Sequence, residues 1–151
     1  MFRKSYVTKI LALLLAFSLF IPCTANIAKA QEVQPYASRY LSAYNTYICA
    51  LGDGKLQIWF EVMGTGDMDE LGTLSIRLYE SSDNTNWTLV ETFLHEDYDS
   101  MLIEDDYWHM DYVPYDDGVT GRYYKAYVCI WAGKNNSGDT RYMWTPVERA
   151  T

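Results

Sequence analysis

From Tyr44 onward the chain alternates apolar and polar residues in short runs, the period of strands that bury one face. Tyr44, Thr46, Ile48 and Ala50 alternate with Asn45, Tyr47, Cys49 and Leu51. Gly52-Asp53-Gly54 follows, a turn able to take positive φ angles. Leu56, Ile58, Phe60 and Val62 then alternate with Gln57, Trp59 and Glu61, so the pattern predicts a hairpin with one inward face. Residues 64–70, with two glycines and three acids, predict a loop. Leu74, Ile76 and Leu78 alternate with Ser75, Arg77 and Tyr79, and a turn cluster at 81–86 leads into a return strand at 87–93. Residues 95–106 are acidic and irregular and read as a loop. Residues 107–113 predict a strand with Trp108, Met110 and Tyr112 on one face, and 114–118 a turn.

The longest run rich in aromatic and β-branched residues is 121–133, bracketed by Gly121 and Gly133. It predicts a central strand with Tyr124, Ala126, Val128 and Ile130 on a core-facing side. Tyr123, Lys125, Tyr127, Cys129 and Trp131 occupy the other side. A hairpin loop at 134–139 and a last strand at 140–147 complete the chain. Heptads and amphipathic helical stretches are absent, so the domain reads as all-β. About seven antiparallel strands with closely spaced turns predict a β-sandwich, and alternation alone also allows a small closed barrel.

Two segments resemble the fibronectin type III group of immunoglobulin-like sandwiches. Residues 74–93 look like its paired middle strands, where a Ser/Asp/Asn turn precedes a Trp and then a Val, here Trp87 and Val90. Gly121-Arg122-Tyr123-Tyr124, followed by Ala126 and Val128, looks like the start of its penultimate strand. The resemblance implies that Tyr124 packs in a corner and that its hydroxyl meets backbone. The stretch after residue 30 is also similar to an uncharacterised family of small secreted proteins from Gram-positive bacteria. The residues that carry this are Tyr47-Ile48-Cys49-Ala50, Gly54 with Lys55 through Phe60, Gly64-Thr65-Gly66, Met68-Asp69, and Trp131-Ala132-Gly133-Lys134-Asn135. That likeness implies secretion and a sandwich and no chemistry.

The amino terminus changes the picture of the whole. Arg3, Lys4 and Lys9 precede an uncharged apolar run at 10–21, and Ala28-Lys29-Ala30 offers a small-x-small cleavage site. The apolar run has 12 residues, against the ~20 a spanning helix needs. Residues 1–30 therefore read as a secretory signal peptide, 31–40 as a tether and 41–151 as the sandwich domain. The 151-residue chain carries 12 basic and 20 acidic residues. Cleavage removes Arg3, Lys4, Lys9 and Lys29, leaving a formal charge of −12. A secreted chain so acidic is expected to bind neither nucleic acid nor, after cleavage, membranes. Cys49 and Cys129 remain as an even pair in an oxidising compartment, which predicts a disulfide. It would close a loop of about 80 residues and contribute about 4 kcal/mol.

Candidate chemistry is sparse. Gly-x-Ser-x-Gly, His-Glu-x-x-His and phosphate-loop patterns are all missing, and His95 and His109 are the sole histidines. Acidic clusters at 67–70, 96–99, 104–106 and 116–117 suit calcium by ligand type, without the spacing of a dedicated calcium loop. No other cofactor is implied. Fourteen Tyr, five Trp and five Phe exceed what a core of this size uses. Trp59, Tyr79, Tyr123, Tyr127 and Trp131, with Tyr47, lie opposite the core-facing positions. Gathered on one face they would form an apolar platform rimmed by hydroxyls, suited to carbohydrate or an extracellular protein. The expectation is thus a non-catalytic binding module. The alternative is a small glycan hydrolase using paired carboxylates.

Overall fold

The computed structural model describes residues 38–151. The expected signal peptide and most of the tether lie outside them. Ser38 through Tyr40, read as the end of the tether, are instead held to the domain. The Ser38 hydroxyl donates to Asp139, whose carboxylate also accepts the Arg39 N–H at 3.1 Å.

The described residues form strands β1 (Leu41–Gly52), β2 (Lys55–Met68), β3 (Glu70–Ser81), β4 (Thr88–Leu94), β5 (Leu102–Ile103), β6 (Asp106–Tyr115), β7 (Tyr123–Lys134), β8 (Ser137–Trp144) and β9 (Glu148–Arg149). A three-stranded sheet runs β1-β2-β6. A second runs β4-β3-β7-β8, with β5 added to β3 and β9 to β7. Every pairing is antiparallel. The two sheets make a sandwich-like arrangement around one core.

That core follows the alternation. Ile58, Phe60 and Val62 from β2 meet Ile76 and Leu78 from β3 and Val128 and Ile130 from β7, all fully buried. Each such side chain contributes roughly 1.5–3 kcal/mol by leaving water. The first turn takes positive φ at Gly52, Asp53 and Gly54, as the sequence requires. Gly54 also abuts Gly118: a Cβ on Gly54 would stand 1.9 Å from the Gly118 carbonyl oxygen, and one on Gly118 2.1 Å from that of Gly54.

Three local readings are corrected. Residues 64–70 are not a loop, because β2 runs on to Met68 and β3 begins at Glu70, so the chain changes sheets across Asp69. Leu74 is not a regular core position. The β3–β7 register shifts between Thr73 and Ser75, and the bulge reverses the parity of the strand. Leu71 and Thr73 point inward before it, Ile76 and Leu78 after it. The last hairpin is tighter than expected. Lys134 pairs with Ser137, and Asn135 and Asn136 both have positive φ, the geometry of a two-residue turn.

Tyr124 is fully buried, and its hydroxyl accepts the Val119 N–H at 2.8 Å while donating to Glu80. The other Glu80 oxygen takes Arg122. The expected contact of this hydroxyl with backbone is therefore present. Burial, reinforced by the bond to Glu80, pushes the phenol up to about 12.

The disulfide is overturned. Cys49 and Cys129 are both free. Cys49 lies on β1 and Cys129 on β7, in different sheets, each at a position opposite the core-facing side. Packed sheets stand about 10 Å apart, whereas bridged Cα atoms are about 4.4–6.8 Å apart with converging Cβ vectors. Burial also raises the Cys129 thiol above its ordinary value. Native protein should therefore alkylate at the half-exposed Cys49 first and at Cys129 only on denaturation. Peptide mass mapping after iodoacetamide reads this out, and a Cys49–Cys129 cross-linked peptide would contradict it.

Tyr124→Phe strands the Val119 N–H and should lower unfolding stability by about 1–3 kcal/mol in urea titrations at neutral pH. Because the folded pKa exceeds the unfolded value of about 10, stability is intact below pH 10 and falls as pH rises toward 12. The phenylalanine variant should show a shallower fall over that window.

Candidate functional site

The outer face of the larger sheet gathers aromatic rings by register. Arg77, Tyr127 and Trp144 stand in one cross-strand row, and Ser75, Cys129 and Tyr142 in the next. Tyr79 pairs with Lys125 on the other side. Side chains directly opposite on one face lie within contact reach, so these rows become stacks. The Trp144 ring centroid lies 4.8 Å from that of Tyr127 and 5.2 Å from that of Tyr79. Tyr127 and Tyr142 stack at 5.6 Å with planes 13° apart. Trp144 is 43% and Tyr142 54% exposed, so the cluster is open to solvent.

Cations are threaded through it. The Lys125 ammonium sits 4.1 Å from the Trp87 ring centroid and 4.6 Å from that of Trp144. The Arg77 guanidinium lies 5.6 Å over Tyr127, and that of Arg149 5.6 Å over Tyr123. These distances fall within the range of cation–π attraction. Burial raises the Cys129 thiol, with Tyr142 and Ser75 beside it acting the other way, and Cys129 in turn is the main cause raising the Tyr142 phenol.

The five expected binding residues are therefore divided. Tyr79 and Tyr127 belong to the exposed cluster. Tyr123 lies at one end of the same face under Arg149. Trp131 lies toward the other end, folded over the last hairpin: a Cβ on Gly138 would come within 2.5 Å of its indole. Its N–H donates to Glu70 at 2.9 Å. Trp59 is on the smaller sheet. There Tyr47, Trp59 and Tyr112 form a row across β1, β2 and β6, with centroids 5.9 Å and 4.7 Å apart. The indole N–H groups of that face are already used, Trp59 on Gln57 and Trp108 on Glu61. A single platform holding all the outward aromatics is thus replaced by two faces.

Trp87, Tyr142 and Trp144 complete the cluster without having been singled out by alternation. Trp87, at the start of the expected return strand, stands just before β4. Thr140, Tyr142 and Trp144 alternate visibly, but their face depends on where the hairpin turns. A two-residue turn at Asn135-Asn136 sets Tyr142 against Cys129 and Trp144 against Tyr127. The Asn-Asn pair is the signal in the sequence, since asparagine tolerates the left-handed conformation that such a turn needs.

Three carboxylates gather away from the ring cluster. A cleft of about 560 Å³ beside the last hairpin is lined by Asp69, Glu70, Glu104, Trp131 and Lys134, among others. Asp69 accepts the Asn135 N–H at 2.7 Å and Glu70 accepts Trp131, so both brace the hairpin. Among the described residues, no three His, Cys, Asp or Glu side chains converge to hold a metal ion. His109 is buried, its Nε2 2.8 Å from the Ser100 carbonyl oxygen and its ring against Phe60. His95 lies beside Glu96 on the surface. Asp83 is held well below the usual carboxylate range by hydrogen bonds from Asn86, Thr85 and Ser81, which shape the β3–β4 turn.

Comparison with family models, curated proteins and solved structures finds no match. Function is therefore read from geometry.

Trp144 is on an edge strand and half-exposed, and its contacts lie within the outer cluster. Trp144→Ala should lower stability by no more than about 1–2 kcal/mol, with a cooperative melt retained. Loss of cooperative unfolding would place the residue in the fold and remove it from any site.

Proposed function

We propose that the protein is a secreted, non-catalytic binding module of fibronectin type III-like topology that recognises polysaccharide on the outer face of its larger sheet. The topology is supported by the β1-β2-β6 and β4-β3-β7-β8 orders and by the Tyr124 hydroxyl meeting the Val119 N–H. Secretion is supported by the charge and apolar pattern of residues 1–30.

The observation that carries the binding reading is the exposed, contiguous ring surface of Tyr79, Trp144, Tyr127 and Tyr142. Sugar rings present an apolar C–H face and a hydroxyl rim. Aromatic side chains with polar tips match both at once. Among the described residues, no hydrogen bond engages the Tyr79 and Tyr127 hydroxyls or the Trp144 N–H. A protein partner fits less well. Interface centres are depleted in lysine, and Lys125 lies in the middle of this cluster.

Affinity electrophoresis through gels cast with a panel of soluble polysaccharides tests the reading, followed by calorimetry on any polymer that retards the protein. Binding should occur, and Trp144→Ala or Tyr127→Ala should weaken it tenfold or more, about 1.4 kcal/mol. Absence of retardation across the panel, or retardation untouched by both variants, would reject it.

A further inference from the structure

Resting on that reading of the same face, we infer that the polysaccharide is anionic, a chain bearing carboxylates of the uronate type. The chain as a whole is strongly acidic, with 20 acidic residues against 12 basic. The outer face of the larger sheet departs from that balance. Of its strand residues, Arg77, Lys125 and Arg149 are cationic, and each is set against an aromatic ring. Glu70, toward the hairpin end of the face, is engaged by Trp131.

Arg122 and Arg141 lie beside carboxylates, Glu80 and Asp139. Among the described residues, Arg77, Lys125 and Arg149 have no ion pair, as also holds for Arg39, Lys55 and Lys134 away from this face, so what marks the three is their place against the aromatic rings of this face. Arg149 is positioned by its Nε donating to the Gly121 carbonyl at 3.0 Å. Stacking against rings restrains long side chains without consuming their hydrogen-bond donors. A guanidinium so held offers a fork that a carboxylate can meet with two hydrogen bonds. Lys125, between Trp87 and Trp144, supplies a point charge within the ring surface.

The face thus combines surfaces for sugar rings with unpaired cations beside them. A neutral chain would use only the first. At 0.1 M salt the Debye length is about 10 Å, so carboxylates farther away than that weigh less in an encounter than the cations on this face.

Polygalacturonate and its methyl ester separate the two contributions, because the backbone is shared and only the charge differs. Calorimetry on the purified protein at 50 mM salt should show the acid form bound at least tenfold more tightly than the ester. Raising salt to 500 mM should reduce that preference severalfold. Arg77→Gln combined with Lys125→Gln should abolish the preference, while Trp144→Ala should weaken both polymers together. Equal affinity for the two polymers, with loss in Trp144→Ala, would overturn the anionic inference and leave the binding module standing. Binding of neither polymer would overturn the anionic inference. Whether the module also falls is then read from the wider polysaccharide panel. If the double variant misfolds, the salt series on the unaltered protein still decides: a preference that does not shrink with salt would overturn the inference.

Discussion

The structure depends on the register of β7 between β3 and β8. Strand side chains alternate with a period of two, so one choice of pairing assigns every residue of β7 to a side at once. Tyr124, Ala126, Val128, Ile130 and Ala132 go to the core and are fully buried. Lys125, Tyr127, Cys129 and Trp131 go to the outer face. A slip of one residue would put lysine among the core side chains and strip the outer face of its central rings. The same constraint that closes the core therefore builds the candidate site. Tyr124 pins this register at its beginning, where its hydroxyl ties β7 to the preceding turn and to Glu80 on β3.

Much of this is legible in the sequence where the local code is strong. The alternation of Leu56 through Val62 and of Tyr124 through Ile130 identifies the inward faces, and Gly52-Asp53-Gly54 identifies the first turn. The parts that are not legible share a physical origin. The bulge at Leu74 is set by what β7 presents, and no single-strand pattern records it. The passage across Asp69 needs two long strands in different sheets, and the glycines at 64 and 66 imitate a loop. The outer aromatics are recognisable as outward, but alternation does not say to which sheet a strand belongs. Trp59 and Tyr127 look alike in sequence and end on opposite sides of the sandwich. Cys49 and Cys129 are separated by the same fact, and the bridge inferred from their count gives way to two unlinked thiols.

The two outer faces differ in more than position. On the smaller sheet, tryptophan N–H groups are satisfied by Gln57 and Glu61, and the aromatic row is closed upon its own neighbours. On the larger sheet the rings are interleaved with Arg77 and Lys125. Aromatic content alone does not distinguish stabilising cross-strand pairs from a recognition surface. The disposition of donors and charges around the rings is what sets the two faces apart.

The contact between Gly54 and Gly118 carries a consequence for how this chain can vary. The two residues lie in separate turns, yet each backbone fills the space where the other's side chain would begin. Enlarging either one collides with main chain, and the neighbour has no side chain to trim in compensation. Both positions are thus constrained independently to the smallest residue. Drift can reshape the charged rim and the loops around them, while this seam between the β1–β2 turn and the approach to β7 must be inherited unchanged or lost with the packing it joins.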